Sequence, residues 1–435
     1  MPADVAWKKP LVAMSPKNPL FACRVGAFAM DSIYQLRYRD VLMLCVMALL
    51  ALGVIMVQSA ASGITGGTGL QWSSTGLRDL MYVGAGVISF FVFGFIDYRW
   101  IVASRPRAGM GMNTVAPTIW KALKTPAVWA YLVGVLVCVA VLIPGIGKTV
   151  NGAQRWIQLG PIQLQASEIG KWGCVLLFAW ALATAPQILK SFKGFILLMV
   201  PLGVVGILVV KEDFGTAALI GLCSLMIVLV GGVRLWHMGI MLPPLAAGAV
   251  YAIISEPYRL KRIAAFTNPF DAPQKEGYHL IQSLLSFASG GILGKGLGNG
   301  IQKLGYLPED TTDFIFAVIC EELGLAGAAL TVLLYLGILW ACWNIIKVTK
   351  DPFGRLLTFG VGCMIGLQAM LNIAVATVSV PPKGLPLPLV SFGGTGLVIT
   401  SAMLGLVYSV ARVWETDAEA LPLGKSPIGI GSRAA

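Results

Sequence analysis

Asp313 stands where a long polar segment gives way to the apolar run Phe314-Ile315-Phe316-Ala317. A carboxylate partly withdrawn from water at such a point has its pKa raised toward the range in which it can take a proton from a hydroxyl. The same position suits an acid that merely flanks a helix N-terminus, where the dipole favours negative charge, and residue types alone leave both readings open. Arg155, Lys295, Lys303 and Lys383 lie in polar segments and could stabilise an anionic leaving group such as a phosphate, or simply be solvated near headgroups. Trp156 could stack on a sugar or lipid, or belong to an interfacial aromatic belt. Glu168 and Lys171, spaced i and i+3 at the start of an apolar run, are costly there unless paired. A structural ion pair is the expected reading, with extension of a polar cavity as the alternative. Glu321 and Glu322 fall about two turns into the run after Asp313, too deep for capping, and serve either helix packing or a cavity. His279 has no second ligand at metal-binding spacing. No cofactor pattern is evident, and a divalent cation stays open.

The elements that must hold these residues are apolar. Hydrophobic residues make up 57% of the chain and charged residues 12%, against roughly 25% charged in an average soluble domain. Ten apolar stretches, at about 41–59, 80–97, 126–146, 169–186, 193–210, 215–232, 238–254, 313–346, 354–380 and 393–413, are near the length needed to cross a bilayer as helices. The fold expected is an all-α polytopic membrane domain over 40–413, with tails at 1–39 and 414–435. The net charge of +12 is spread over short inter-span segments, a topology signal and not a nucleic-acid face. Basic residues gather in the N-terminal tail, the 98–125 segment and the turns around Lys190, Arg234, Lys347 and Lys350, so both termini are expected on the cytoplasmic side. The first apolar run starts only near Val41, so it is expected to anchor the chain uncleaved. Residues 255–312 form a large extracytoplasmic loop between spans seven and eight. Its Gly-rich stretch 290–300 lacks the order of a P-loop. The eight cysteines show neither zinc nor disulfide spacing.

Several blocks carry a resemblance. Asn268-Pro269-Phe270-Asp271, Gly277-Tyr278-His279 with Gln282-Ser283, Gly296-Leu297-Gly298-Asn299-Gly300, Tyr306-Leu307-Pro308-Glu309 and Thr312-Asp313-Phe314-Ile315-Phe316-Ala317 follow one another ahead of Glu321-Glu322-Leu323-Gly324. Earlier come Asn151-Gly152-Ala153-Gln154-Arg155-Trp156-Ile157 and Gln165-Ala166-Ser167-Glu168 with Lys171. Later come Pro382-Lys383-Gly384-Leu385-Pro386-Leu387-Pro388-Leu389 and Ser391-Phe392-Gly393-Gly394. In this order, over roughly 40–410, they resemble the SEDS family (RodA, FtsW and SpoVE). Departures include Ala166 for Pro, Lys211-Glu212-Asp213-Phe214-Gly215-Thr216 for a QPDLGT-like element, Thr311 for His and His279 for Gln.

The resemblance implies a peptidoglycan glycosyltransferase of the inner membrane that polymerises lipid II. Asp313 would be its catalytic position, with Glu309 and the four cations on the substrate side. It also implies a class B penicillin-binding protein as partner, alongside other divisome or elongasome proteins. The approach Pro382-Lys383-Gly384 to Pro386-Leu387-Pro388 is more similar to the FtsW branch, which reads as septal division over elongation. A flippase and a scaffold for a partner synthase are the competing classes. An elaborated loop feeding an acid into an apolar helix favours surface chemistry, and no internal repeat of the transporter kind is visible.

Overall fold

The computed structural model describes residues 37–63, 74–102, 123–150, 152–160, 162–271, 273–274 and 277–419. Most of both expected tails and of the basic 98–125 segment, together with Asn151 of the motifs, lie outside the described residues. Among the described residues twelve α-helices follow one another: α1 (Tyr38–Gly63), α2 (Ser74–Phe95), α3 (Pro126–Val141), α4 (Ala166–Thr184), α5 (Phe192–Val210) and α6 (Phe214–Val230) come first. After them come α7 (Leu235–Ile254), α8 (Pro257–Thr267), α9 (Tyr278–Gly290), α10 (Ile315–Val348), α11 (Pro352–Ala376) and α12 (Thr395–Glu419). Eight are long and apolar enough to cross a membrane, and two more, α3 and α6, are shorter apolar helices. Backbone groups have no water to bond in hydrocarbon, so helices that satisfy them internally are the form such runs must take. The all-α polytopic class holds.

Helix α2 packs along α12, α3 along α4, and α1 along α10. At one end Arg39 meets Glu415 at 3.1 Å and the Tyr98 hydroxyl lies 3.2 Å from Asp351 Oδ2. The other end carries α8, α9, the loops 291–314 and 377–394, and a small antiparallel sheet of β1 (Gly147–Val150), β2 (Ala153–Leu159) and β3 (Ile162–Gln165). That sheet was not expected from the apolar pattern, which ran 126–146 together as one span and left 147–165 as a connection. Its register sets Trp156 opposite Lys148 on one side and Gln165 on the other.

The expected span 313–346 is two helices meeting at a break. Gly324 sits at φ 66, ψ −160, a backbone state that glycine alone adopts without penalty. The piece from 325 to 348 is about 36 Å long at 1.5 Å per residue, enough to cross a bilayer alone. The piece Ile315–Leu323 is therefore a separate short helix above it. The break leaves carbonyls without helical partners, and the Gly-rich stretch supplies them. Lys295 N–H donates to Glu321 O (3.0 Å) and Gly296 N–H to Glu322 O (2.9 Å), while Leu325 N–H donates to Gly291 O (3.0 Å). The Gly-rich stretch 290–300 thus docks on helix α10.

Candidate active site

The loop before α10 is built to hold Asp313 still. Glu309 adopts a left-handed backbone, φ 57, and its carbonyl accepts from the Thr312 and Phe314 amides at 3.1 and 3.2 Å. The Thr312 hydroxyl closes the same turn on Glu309 Oε2 at 2.8 Å. Such strain persists where surroundings over-determine it, and here they do. Asn372 on α11 donates from one amide to Asp313 O and Leu385 O, both at 2.8 Å. Ser391 donates to Thr312 O at 2.6 Å and accepts from the Leu387 amide at 2.7 Å. Two loops distant in sequence are clasped at two points. The N-cap residue of α10 is Phe314, which makes no side-chain capping bond, and among the described residues no hydrogen bond ties the Asp313 carboxylate to the first turn.

Between the loops lies a cavity of about 360 Å³. Asp313, Glu309, Arg262 and Lys383 line it, with His279, Phe314, Pro382 and Gly384 completing the wall. Gly384 approaches closely: a Cβ there would sit 3.1 Å from Asp313 Oδ2. Asp313 is half-buried, and its pKa is pushed up to about 7. Loss of water is the main cause, Glu309 and Asp213 push the same way, and Arg262 and Arg155 oppose. Burial lowers the pKa of Lys383, whose ammonium lies 5.3 Å over the Phe214 ring. Arg262 leans on Tyr258 and on the Pro382 carbonyl, at 3.5 Å. A proton acceptor near neutrality thus faces two cations across a shaped space, an arrangement suited to attack by a hydroxyl with departure of an anion.

Other residues expected at the site sit elsewhere. Arg155 lies 3.8 Å from Asp213, the N-cap of α6, outside the lining of the main cavity. Beside it the Gln154 amide donates to Glu212 at 2.8 Å, so the hairpin docks on the corner where the chain departs from the family pattern. Trp156 is half-buried in β2, also outside the cavity lining. Lys295 and Lys303 do not face the cavity. Lys295 pairs with Glu321 and Lys303 with Glu322, each at 2.7 Å, and Ser59 on α1 bonds Glu322 at 2.7 Å and Lys303 at 3.0 Å. Both glutamates are fully buried. Buried charges persist only when compensated, and these pairs pin the Gly-rich loop into the helix break.

Glu168 and Lys171 form a buried pair at 2.7 Å. The chain of bonds runs on, for Lys171 donates to Gln368 Oε1 (2.9 Å) and Gln368 Nε2 to Pro386 O (2.8 Å). The pair therefore helps to fix the loop that carries Lys383. Sequence reasoning missed Arg262 and His279 as cavity walls. Arg259 and Arg262, one helical turn apart on α8, were the available signal: Arg259 caps the α5 carbonyls of Val210 and Lys211, and Arg262 is left at the cavity. Among the described residues, no three His, Cys, Asp or Glu side chains come together as a metal cage.

A family model described as cell cycle protein, for FtsW, RodA and SpoVE, matches residues 39–415. A probable peptidoglycan glycosyltransferase FtsW of Coxiella burnetii is 37% identical over 381 residues, covering 86% of this chain and 96% of that one. Its namesake in Thioalkalivibrio sulfidiphilus is 36% identical, covering 85% and 88%. Among solved structures, a chain from a peptidoglycan synthase complex, described for its structural coordination of polymerization and crosslinking, is similar at TM-score 0.67. It is 28% identical, with 86% of this chain and 97% of that one covered. The crystal structure of the Thermus thermophilus rod shape determining protein RodA gives 0.59 at 25% identity, covering 85% and 95%. A match that runs from α1 to α12, through every wall of the Asp313 cavity, makes this chain a member of the FtsW, RodA and SpoVE family.

Proposed function

We propose that the chain is a peptidoglycan glycosyltransferase that polymerises lipid II, an undecaprenyl-pyrophosphate disaccharide-peptide, into glycan strands during cell division. The observation that carries this reading is the Asp313 carboxylate, with its pKa near 7, facing Arg262 and Lys383 across one cavity. Asp313 takes the proton of the acceptor-sugar hydroxyl as that oxygen attacks the anomeric carbon of the donor. The new glycosidic C–O bond forms while the bond from that carbon to the pyrophosphate oxygen breaks, and the electron pair leaves with the pyrophosphate. Lys383 and Arg262 meet the growing negative charge, and Arg155, held on Asp213, adds positive field behind them. Trp156 offers a ring to sugar or lipid at the interface. The cations named in this scheme are side chains. Turnover in the presence of a chelator tests whether a divalent cation is required as well.

The basic-residue asymmetry supports a site at the outer face of the inner membrane, with both termini cytoplasmic. The similarity to a synthase complex supports a crosslinking partner, a class B penicillin-binding protein docking through its single span. Relatives named FtsW favour the septum over the sidewall. A flippase draws support from the broken helix α10, a feature of transporters. Here, however, the loose carbonyls are bonded by the Gly-rich loop and do not line a passage. Purified protein given lipid II should make glycan, and Asp313→Asn should bind lipid II without extending it. Lipid II movement across a vesicle with no glycan formed would overturn the enzyme reading. Co-purification in mild detergent should recover a single-span transpeptidase.

A further inference from the structure

Arg262, Glu309, Asp313 and Lys383 give the cavity charge, yet a lipid-linked saccharide also has a neutral part that must be held in register. His279 is the group in this wall able both to donate and to accept without a formal charge. Its ring lies parallel to Phe314, centroids 6.1 Å apart at 7°, and Tyr278 meets it edge-on at 6.4 Å. The imidazole therefore has a fixed plane. Its Nδ1 is buried and has no hydrogen-bond partner among the described residues, an expensive state for a polar atom unless something enters to pair with it. Asp313 lines the same cavity, so a group bonded to His279 shares that space with the proposed base.

We propose that His279, laid on Phe314, forms a neutral hydrogen-bonding subsite for the saccharide of the substrate, pairing at Nδ1 with a sugar hydroxyl or acetamide. The inference rests on the glycosyltransferase reading and deepens it. Burial and the Arg262 cation lower the pKa of His279, with Glu309 opposing. The ring is therefore neutral at physiological pH. Asp313 and Lys383 are the other charged groups in the same wall. On acidification the imidazole gains a proton, loses its acceptor, and sets a second positive charge beside Arg262.

The test is lipid II affinity of the full-length protein in an Asp313→Asn background, where no turnover occurs and the base cannot titrate. His279→Phe keeps an aromatic face for Phe314 and removes both nitrogens. It should weaken affinity about five- to tenfold, the loss of one neutral hydrogen bond. His279→Gln restores a donor and an acceptor, so it should stay within about twofold at pH 7.5 and lose the decline that His279 shows below about pH 6.5. Unchanged affinity in His279→Phe overturns the subsite. So does an equal loss in His279→Gln, or a pH decline that survives that substitution. If the Asp313→Asn parent fails to bind lipid II at all, the glycosyltransferase reading fails instead.

Discussion

Replacing Asp313 by Asn separates stability from activity, because the same desolvation that tunes the base also costs the fold. In the folded protein this carboxyl is pushed from an ordinary 3.8 to about 7. The folded state therefore holds its proton through a window, roughly pH 4 to 7, in which the unfolded chain has already lost it. The sign follows: stability is greatest below that window and falls as pH rises through it. At 1.36 kcal/mol per pH unit the ceiling is about 4 kcal/mol, and solvent reaching a half-buried group reduces this to about 2 kcal/mol. Asn carries no charge to desolvate. Asp313→Asn should then melt a few degrees above the parent at pH 8, and the gap should narrow to about a third at pH 5 and close only below about pH 4. Activity moves oppositely. Turnover of the parent should rise about tenfold from pH 6 to pH 8 as the carboxylate ionises, and Asp313→Asn should lose a factor of about 10²–10⁴. Melting curves at the two pH values and glycan length from purified lipid II are the assays. An Asn variant that melts at or below the parent at pH 8, or that makes glycan at near-normal rate, refutes the reasoning.

Lys303→Met strands Glu322 in the helix break and should cost about 3–5 kcal/mol. Pairing it with Glu322→Gln should recover part of that loss in yield and melting temperature. Glu168→Ala leaves Lys171 buried without its carboxylate, with Gln368 and the Trp172 ring still in contact. A drop in folded protein equivalent to about 2–3 kcal/mol is expected, read as yield of monodisperse protein in detergent. Gly384→Ala places a methyl 3.1 Å from Asp313 Oδ2. Turnover should fall at least about tenfold with melting unchanged, since reacting groups displaced by under an ångström lose their alignment.

The membrane class was legible without coordinates, because length and hydropathy of a run are local properties and the bilayer forces such runs into helices. Asp313 was legible too, since a carboxylate at the mouth of an apolar run is visible in one dimension and the surrounding motif resembles a known family. The i, i+3 spacing of Glu168 and Lys171 announced their pairing in the same way. The break at Gly324 was not legible. Glu321-Glu322-Leu323-Gly324 reads as continuous helix, and only the Gly-rich loop arriving from thirty residues upstream in space makes interruption affordable by bonding the freed carbonyls. For the same reason Lys295 and Lys303 looked like free outer cations. Their carboxylate partners, Glu321 and Glu322, are buried on another element, Lys303 also bonds the Ser59 hydroxyl from 244 positions away, and nothing in sequence spacing reports such pairings. Lys383 meets Asp313 because Asn372 and Ser391 clasp two distant loops, and Arg262 and His279 join them from α8 and α9. Residue types and helical runs are fixed along the chain, whereas which charges are spent on one another and which remain facing a cavity depends on three-dimensional proximity, and the tertiary fold alone supplies it.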